Sequence, residues 1–421
     1  MLAWTKSYSF RKVSGNLVAQ LVGKFVTTLA TLVVTIFVAR SYGPATYGYL
    51  TIILTFPALF YIIADFGLNT IFIRDAAKIG KINEVFSVLL GLRVIWSLTL
   101  VILAALILFL LPYPHFVKIG ILIGLVTIIT QSLYTSANAV FQSRLRYDRS
   151  VVASSLGSVT ILILVFIAIK SLLGIWVIPA SYVLGGVVMV LVSSFFVRQL
   201  IGAFSLRFDK NMARALVVSS LPLGLAAVFS VIEGKVDHLL LSILKPAASL
   251  GYYGVAYKIF EVVLVLPTFF MNAAYPLLVK YLATSQKDFA RARRISLLTL
   301  MAGGFVTAFV GYLSAPALIR IVGGRDFGPS VGALRLLFVG LPFFFVTAFL
   351  FYEVILYRQQ LSLAVIYFLG AVFNIVMNLI FIPRYDFNAA AIITGATEAL
   401  ILVLLLLALR GKHSYDWQTD N

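Results

Sequence analysis

Long apolar stretches dominate this chain and constrain its fold more than any other feature. Runs such as Leu100–Leu111 and Ala399–Leu409 contain no charged residue. A helix of about 20 apolar residues is long enough to cross the hydrocarbon core of a bilayer. Because lipid offers no partner to backbone N–H and C=O groups, only helices and closed barrels span a membrane. The apolar runs are continuous and do not alternate with polar residues, so the sequence predicts an all-α integral membrane protein.

Twelve apolar segments are long enough to be membrane spans. They are residues 14–39, 48–72, 84–111, 117–142, 151–170, 173–197, 214–243, 250–278, 295–320, 331–356, 360–383 and 387–410. Lys and Arg in alternate connections outnumber those in the other connections by about three to one, and such an excess marks cytoplasmic loops. We therefore expect a multi-pass protein of the cytoplasmic (plasma) membrane with both termini cytoplasmic. The longest connection, around Arg198–Arg214, divides the chain into an N-terminal lobe (1-205, spans 1–6) and a C-terminal lobe (206-421, spans 7–12).

The composition excludes several classes of protein. Hydrophobic residues make up 62% of the chain and charged residues only 11%, which is too few for a soluble domain. The net charge of +18 follows from the loop Lys and Arg residues, so nucleic acid is not an expected partner. There is no cysteine, and His115, His238 and His413 form no ligand pattern, so we expect neither a metal nor a cofactor. No constellation of catalytic residues is present, and we expect no enzyme activity.

Several short motifs occur in the order typical of one family. They are Val38–Tyr49 (VARSYGPATYGY), Ala64–Asn69 (ADFGLN), Ile73–Asp75 (IRD), Lys235–Leu241 (KVDHLLL), Gly251–Lys258 (GYYGVAYK) and Ala333–Leu337 (ALRLL). In these motifs the chain resembles the polysaccharide and O-antigen flippases (Wzx-type) of the multidrug/oligosaccharidyl-lipid/polysaccharide (MOP) exporter superfamily. The resemblance implies a MATE/MOP-like fold of two six-helix lobes around a central cavity that opens alternately to either side. It also implies an oligosaccharide on a polyprenyl diphosphate as cargo, and membrane lipids and other polysaccharide-assembly membrane proteins as partners.

Three ionisable residues of the first lobe, Lys24, Asp65 and Arg93, lie at a similar depth. Each is about 15 Å from the cytoplasmic end of its span at 1.5 Å per residue. Because an ionisable group in the bilayer costs at least about 2.5–3.5 kcal/mol, such groups face a partner or an aqueous cavity. Two interpretations stay open. In the first, Lys24 and Arg93 each pair with Asp65, or Arg93 snorkels to the membrane surface. In the second, the three form one cluster with one positive charge in excess, which suits a diphosphate or an acidic sugar. The second predicts that Arg93→Ala or Lys24→Ala lowers transport without unfolding the protein.

The second lobe contains its own set of intramembrane charges. Glu233 and Asp237 are four residues apart and share a helical face, and Lys258 and Glu261 are spaced to form a pair. Like charges at Glu233 and Asp237 repel each other, which makes a binding site for H⁺ or Na⁺ one interpretation. Neutralisation by Lys235 or Lys258 from adjacent helices is a second, and solvation of Glu233 near the outer surface is a third. The candidates for ion coupling are therefore Glu233, Asp237 and Glu261, and the two lysines are candidates for the substrate cavity.

Uncharged polar residues complete the candidate cavity. Gln131 and Asn138 lie on the fourth span, Asn272 on the eighth, and Asn374 and Asn378 on the eleventh. Their amides are candidates to bind sugar hydroxyls. The alternative is that each bonds to a neighbouring helix, the more common role of such side chains in membranes.

The rival function is a multidrug or small-solute secondary exporter of the same superfamily. Such exporters rely on an acidic, apolar cavity for cationic drugs. Here Lys24, Arg93, Lys235 and Lys258 make the candidate cavity balanced or basic, which favours an anionic cargo.

A basic segment, Lys280–Arg294, contains Tyr281, Leu282 and Phe289 among its cations. This pattern predicts a short amphipathic helix on the cytoplasmic face, where anionic headgroups attract it.

Overall fold

The structure is a computed structural model that describes residues 2–76, 82–357 and 359–410. Helices and short connections account for these residues, and no strand occurs among them. Within this described part, ten helical segments are long and apolar enough to cross a membrane. The predicted all-α membrane fold is therefore confirmed.

Residues Met1–Val228 form one compact unit. Its helices are α1 (Leu2–Asp65), α2 (Leu68–Ala76), α3 (Ile82–Leu110), α4 (His115–Ser143), α5 (Tyr147–Lys170), α6 (Val177–Ile201) and the first part of α7 (Lys210–Leu244). The first predicted span and residues 48–65 of the second lie in α1, which Gly43 interrupts with a φ of 72°. A Cβ at Gly43 would meet nothing within 4 Å, so the backbone conformation, not a lack of space, favours glycine there.

Residues Phe229–Asn421 form a second compact unit. It contains the rest of α7, then α8 (Ala247–Val263), α9 (Val265–Thr284), α10 (Gln286–Val322), a 3-10 turn (Arg325–Phe327), α11 (Ser330–Leu356) and α12 (Gln360–Leu409). The last two predicted spans both lie in α12, which Asp386 interrupts with a φ of 56°.

The break in α12 is held by side chains from the connection between α7 and α8 and from the first turn of α8. Asp386 Oδ1 accepts a 2.8 Å bond from the backbone N–H of Phe387, and Oδ2 accepts one of 2.8 Å from Ser249 Oγ. Lys245 Nζ donates to the carbonyl of Pro383 at 2.9 Å. These bonds offset the strain of a non-glycine residue with positive φ.

The ten membrane-length segments of the described part hold the twelve predicted spans, because two of these spans meet at Gly43 in α1 and two meet at Asp386 in α12. The second predicted span is interrupted at Phe66–Gly67, and the eighth is divided at Leu264. The first compact unit ends at Val228 and the second begins at Phe229, inside α7, and the lobe boundary at 205/206 stays a prediction. The first part of α7 belongs to the first unit because Leu216 is buried in its core.

The connection between α6 and α7, residues 202–209, packs along α3, and we call it the linker. The backbone N–H of Arg207 donates to the carbonyl of Ser87 at 3.2 Å, and that of Ser205 donates to Ser87 Oγ at 3.2 Å. A Cβ on Gly91 would lie only 2.0 Å from the carbonyl oxygen of Arg207. The missing side chain at Gly91 is therefore what allows the linker to lie against α3.

Candidate functional site

The polar centre of the first unit is Arg93 on α3, whose side chain is completely buried. Its Nη1 donates to the carbonyl of Ala64 at 2.6 Å, and its Nη2 donates to Asp65 Oδ1 at 3.1 Å and Asn69 Oδ1 at 2.8 Å. The Asp65 side chain is 36% exposed. One guanidinium thus holds the end of α1 and the start of α2 together. The sequence left two interpretations of Arg93 open. The observed geometry corresponds to the first, in which Arg93 forms an ion pair with Asp65.

The break between α1 and α2 explains why Arg93 is needed there. Phe66 and Gly67 have φ values of 42° and 70°, so the helix stops and the last carbonyls of α1 lose their helical partners. A Cβ on Gly67 would lie 3.3 Å from the backbone nitrogen of Gly224, and one on Gly224 would lie 2.7 Å from the Phe66 ring. The two glycines therefore let α7 lie directly against the break.

The other first-unit candidates stand apart from this network. Lys24 is exposed and forms no ion pair with any residue that the structure describes. Asn138 Oδ1 accepts a 2.6 Å hydrogen bond from Ser150 Oγ, which is also 3.2 Å from the Tyr134 hydroxyl. Asn138 thus joins α4 to α5, the helix-to-helix role. Gln131 is half-buried on α4.

In the second unit, Glu261 on α8 lies between two lysines. Lys235 Nζ donates to Glu261 Oε1, and Lys258 Nζ donates to Oε2 at 3.1 Å. Lys235 also lies over the Tyr257 ring, 4.6 Å from its centroid. The three charged side chains are between 24% and 32% exposed. This Lys235–Glu261–Lys258 group, which we call the lysine site, is half-exposed and has one positive charge in excess.

Asp237 on α7 is buried and fully engaged. Its Oδ1 accepts from the backbone N–H of His238 and lies against His238 Nδ1, both at 2.7 Å. Its Oδ2 accepts from the Tyr253 hydroxyl and, at 3.4 Å, from Thr394 Oγ1. The His238 ring packs on its edge against Tyr253 and Tyr257, with centroids 5.0 and 4.7 Å away. Donors from α7, α8 and α12 therefore stabilise this carboxylate.

Glu233 and Glu398 form a buried acidic pair near Asp237. Each side chain is less than a tenth exposed, and each lies close enough to the Tyr257 hydroxyl to interact with it electrostatically. Thr347 Oγ1 donates to Glu398 Oε1. Glu233 packs against Gly370 and, within the described part of the chain, has no hydrogen-bond or ion-pair partner. The cations that the sequence offered as partners, Lys235 and Lys258, are engaged with Glu261, so these two carboxyl groups have no positive partner among the described residues.

The amide candidates of the second unit serve packing in this structure. Asn378 Nδ2 donates to Asn374 Oδ1 at 2.7 Å, and Asn374 Nδ2 donates to Thr397 Oγ1 at 3.0 Å. Both asparagines are buried, and the bond from Asn374 to Thr397 joins the two arms of α12 on either side of Asp386. Asn272 is half-buried and accepts a 3.1 Å bond from the Tyr352 hydroxyl.

Sequence reasoning missed several of the residues that complete these sites. Asn69 and His238 could have been found from their position in the sequence, because Asn69 follows Asp65 by four residues and His238 is next to Asp237. Thr347 and Thr394 could not, since they reach their carboxylates from helices far away in sequence.

A sequence profile of one family matches this chain. The family is described as polysaccharide biosynthesis protein, and the match extends over residues 14–282, more than half of the 421 residues. The chain belongs to this family. No curated protein matches it significantly in sequence.

Solved structures show which fold this polysaccharide biosynthesis protein has. A structure titled lipid II flippase MurJ, inward closed conformation, matches with a TM-score of 0.76 and 18% identity, over 92% of this chain and 86% of that one. An inward-facing multidrug resistance MATE family transporter of the MOP superfamily matches with a TM-score of 0.72 and 15% identity, over 90% and 93%. The Vibrio cholerae MATE transporter VcmN matches with a TM-score of 0.67 and 16% identity, over 96% and 97%. These similarities confirm the MATE/MOP-like fold.

Proposed function

We propose that this protein is a flippase that moves an oligosaccharide linked to a polyprenyl diphosphate across the membrane by alternating access. Its membership of a polysaccharide biosynthesis family supports a glycan cargo. Its fold, which is similar to that of a lipid II flippase, supports transport of a lipid-linked substrate. The proposal also includes other polysaccharide-assembly membrane proteins as partners, since a flipped glycan must be received by them.

The observation that carries this proposal is the lysine site. Its three side chains lie within apolar helices yet remain partly exposed, and two cations share one carboxylate. A diphosphate offers the negative charge and the acceptor oxygens that both ammonium groups prefer. A charged cluster is costly in a membrane and persists where it has a function. We therefore assign the diphosphate to Lys235 and Lys258, with Glu261 positioning both ammonium groups.

We assign ion coupling to the acidic pair, Glu233 and Glu398. Asp237 already accepts several hydrogen bonds, and Glu261 is neutralised by lysines. The acidic pair has no cation among the residues that the structure describes, so uptake of H⁺ or Na⁺ would neutralise it. An ion gradient can then drive the transport cycle through these two residues.

One observation favours export of an organic cation instead. Four carboxylates, Asp237, Glu261, Glu233 and Glu398, lie within electrostatic reach of Tyr257, and they outnumber the two lysines. However, three of the four are buried, and the half-exposed part of the cluster is the basic lysine site. An anionic cargo therefore remains the better fit.

The test is translocation in proteoliposomes of a fluorescent polyprenyl-diphosphate oligosaccharide, followed by protection from a membrane-impermeant quencher. The variant Lys235→Gln/Lys258→Gln should slow translocation at least about tenfold, because it removes two charge-assisted hydrogen bonds. Lys235→Arg/Lys258→Arg should retain transport, and Lys118→Gln/Lys170→Gln serves as a matched control. Normal transport in the double glutamine variant, or efflux of a cationic dye without movement of the glycolipid, would contradict the proposal.

The coupling assignment and the orientation have separate tests. Wild-type protein should respond to a proton or sodium gradient, and Glu233→Gln/Glu398→Gln should transport at a rate independent of the gradient; an unchanged response excludes the pair.

Because the chain has no cysteine, single cysteines can report its orientation in cells. An impermeant thiol reagent should label His115→Cys from outside the plasma membrane but not Arg144→Cys; the reverse would contradict cytoplasmic termini.

A further inference from the structure

The helix α10 is much longer than a bilayer requires. It has 37 residues, which corresponds to about 55 Å, against a hydrocarbon core of about 30 Å. Its charged residues lie near its two ends, with Lys287, Asp288, Arg291, Arg293 and Arg294 in the first turns. The first turns of α10 therefore extend beyond the hydrocarbon core to the level of the lipid headgroups.

One face of α10 is exposed along its length and changes character from basic to apolar. The face consists of Lys287, Arg291, Arg294, Leu298, Met301, Phe305 and Phe309, which follow one another at intervals of three or four residues. Such spacing places them in a single stripe along a helix. The four apolar members are between 40% and 68% exposed, so the protein itself does not cover them. We call this stripe the α10 face.

The opposite side of the same turns faces the protein. Arg293 Nε donates to Glu353 Oε1 of α11 at 2.5 Å, and Phe289 is buried. Ser285 caps the helix by accepting from the backbone N–H of Asp288 at 3.3 Å. The short amphipathic helix predicted for Lys280–Arg294 is therefore wrong: the segment is divided between α9 and α10 at Ser285, because this cap starts a long helix.

The three cations of the α10 face have no such partner. Lys287, Arg291 and Arg294 are exposed, and none forms an ion pair with a residue that the structure describes. At 1.5 Å per residue they extend over about 10 Å along the helix, directly beside the exposed apolar stripe. A ligand for this face must offer negative charge at one end and hydrocarbon at the other.

We propose that the α10 face is a binding site for an anionic phospholipid. The headgroup phosphate is held by Lys287, Arg291 and Arg294, and an acyl chain lies along Leu298–Phe309. Charge complementarity at the headgroup level and apolar exposure immediately beside it fit such a lipid at both ends. The four members that follow Arg294 offer no hydroxyl or amide that would bind a sugar, so the face suits a phospholipid better than a glycolipid. This site is independent of the proposed transport function.

Native mass spectrometry of the full chain, released from micelles containing phosphatidylglycerol or phosphatidylcholine, measures the binding. Each cation near an anionic lipid contributes about fivefold in affinity, so Arg291→Gln/Arg294→Gln should bind phosphatidylglycerol about 30-fold more weakly. Phosphatidylcholine binding should not change. The matched control is Arg144→Gln/Arg146→Gln, which removes the same charge from the turn between α4 and α5 and should retain binding. Arg291→Lys/Arg294→Lys should also retain it.

Three outcomes would overturn the proposal. They are unchanged phosphatidylglycerol binding in the double glutamine variant, an equal loss in the control, and a preference for a polyprenyl diphosphate over phosphatidylglycerol. The third outcome would make the α10 face a docking site for the transported lipid. Size-exclusion profiles identify a variant that fails to fold. If the double glutamine variant does not fold, Arg291→Lys/Arg294→Lys tests the proposal, because it keeps the positive charge and should retain phosphatidylglycerol binding.

Discussion

Replacement of Arg93 by methionine removes the centre of the first-unit network while keeping a long apolar stem. Sequence alone suggested that Arg93→Ala lowers transport without unfolding the protein. The complete burial of this guanidinium predicts a loss of stability instead. Three acceptors on Ala64, Asp65 and Asn69 lose their donor at once.

The magnitude follows from what these acceptors can do afterwards. An acceptor left without a partner in a buried position costs about 1–3 kcal/mol, which applies to the Ala64 carbonyl, whereas Asn69 is only half-buried and contributes less. Asp65 contributes less, because its side chain is 36% exposed and can be solvated. Arg93 itself no longer has to be desolvated, which offsets part of the loss. We expect Arg93→Met to lower the free energy of unfolding by about 3 kcal/mol.

Equilibrium unfolding in mixed micelles with increasing SDS, followed by circular dichroism, measures this difference. The chain contains a matched control in Arg146, whose pair with Asp148 is 46% and 55% exposed. An exposed pair contributes about 0–1 kcal/mol, so Arg146→Met should change little. If both variants unfold alike, the Arg93 network does not stabilise the break between α1 and α2, and the reasoning is refuted.

Three further substitutions test other parts of the structure. Gly91→Ala should detach the linker, because its Cβ would lie 2.0 Å from the Arg207 carbonyl, and limited trypsin digestion should then cleave after Arg207 several times faster. Thr347→Val should lower the free energy of unfolding by about 1–2 kcal/mol, measured in SDS, because Glu398 loses its donor. Glu261→Gln should lower it by about 1 kcal/mol, discounted for partial exposure, because two lysines lose their shared anion.

Each of these has a control within the chain. Gly174→Ala should leave the digestion unchanged, since its Cβ would meet nothing closer than 3.8 Å. Thr347→Ser keeps the hydroxyl and should be more stable than the valine variant. Adding Lys235→Met to Glu261→Gln should restore part of the stability, since it removes one of the two cations that lose their shared anion. Resistance of the Gly91→Ala linker to trypsin, equal stability of the two Thr347 variants, or no recovery in the double variant would contradict the respective argument.

The sequence predicted the helical spans well because lipid imposes one strict rule on every segment. A continuous apolar run has no alternative to an internally bonded helix. Breaks within and between helices were harder to place, since they depend on single backbone conformations. At position 43 the glycine itself indicates a break in the helix. Asp386, in contrast, adopts a positive φ only with help from Ser249 and Lys245.

The candidate sites were predictable only where the partners are close in sequence. The pair between Lys258 and Glu261, one helical turn apart, was expected and is observed. The partner of Glu398 could not be found in this way, because Thr347 is 51 positions away and packing alone brings the two together. Neutralisation of Glu233 by a lysine was plausible from spacing, but both lysines bind Glu261.

The bonds at the break in α12 bear on how the protein is made. Lys245 and Ser249 precede Pro383 and Asp386 by 138 and 137 positions. Since a chain is synthesised from its N-terminus, the residues that hold the break are already in the membrane when α12 leaves the ribosome. The two spans of α12 therefore insert beside Lys245 and Ser249, which are already in place to donate their hydrogen bonds. The sharp turn at Asp386 can form as soon as it enters the membrane.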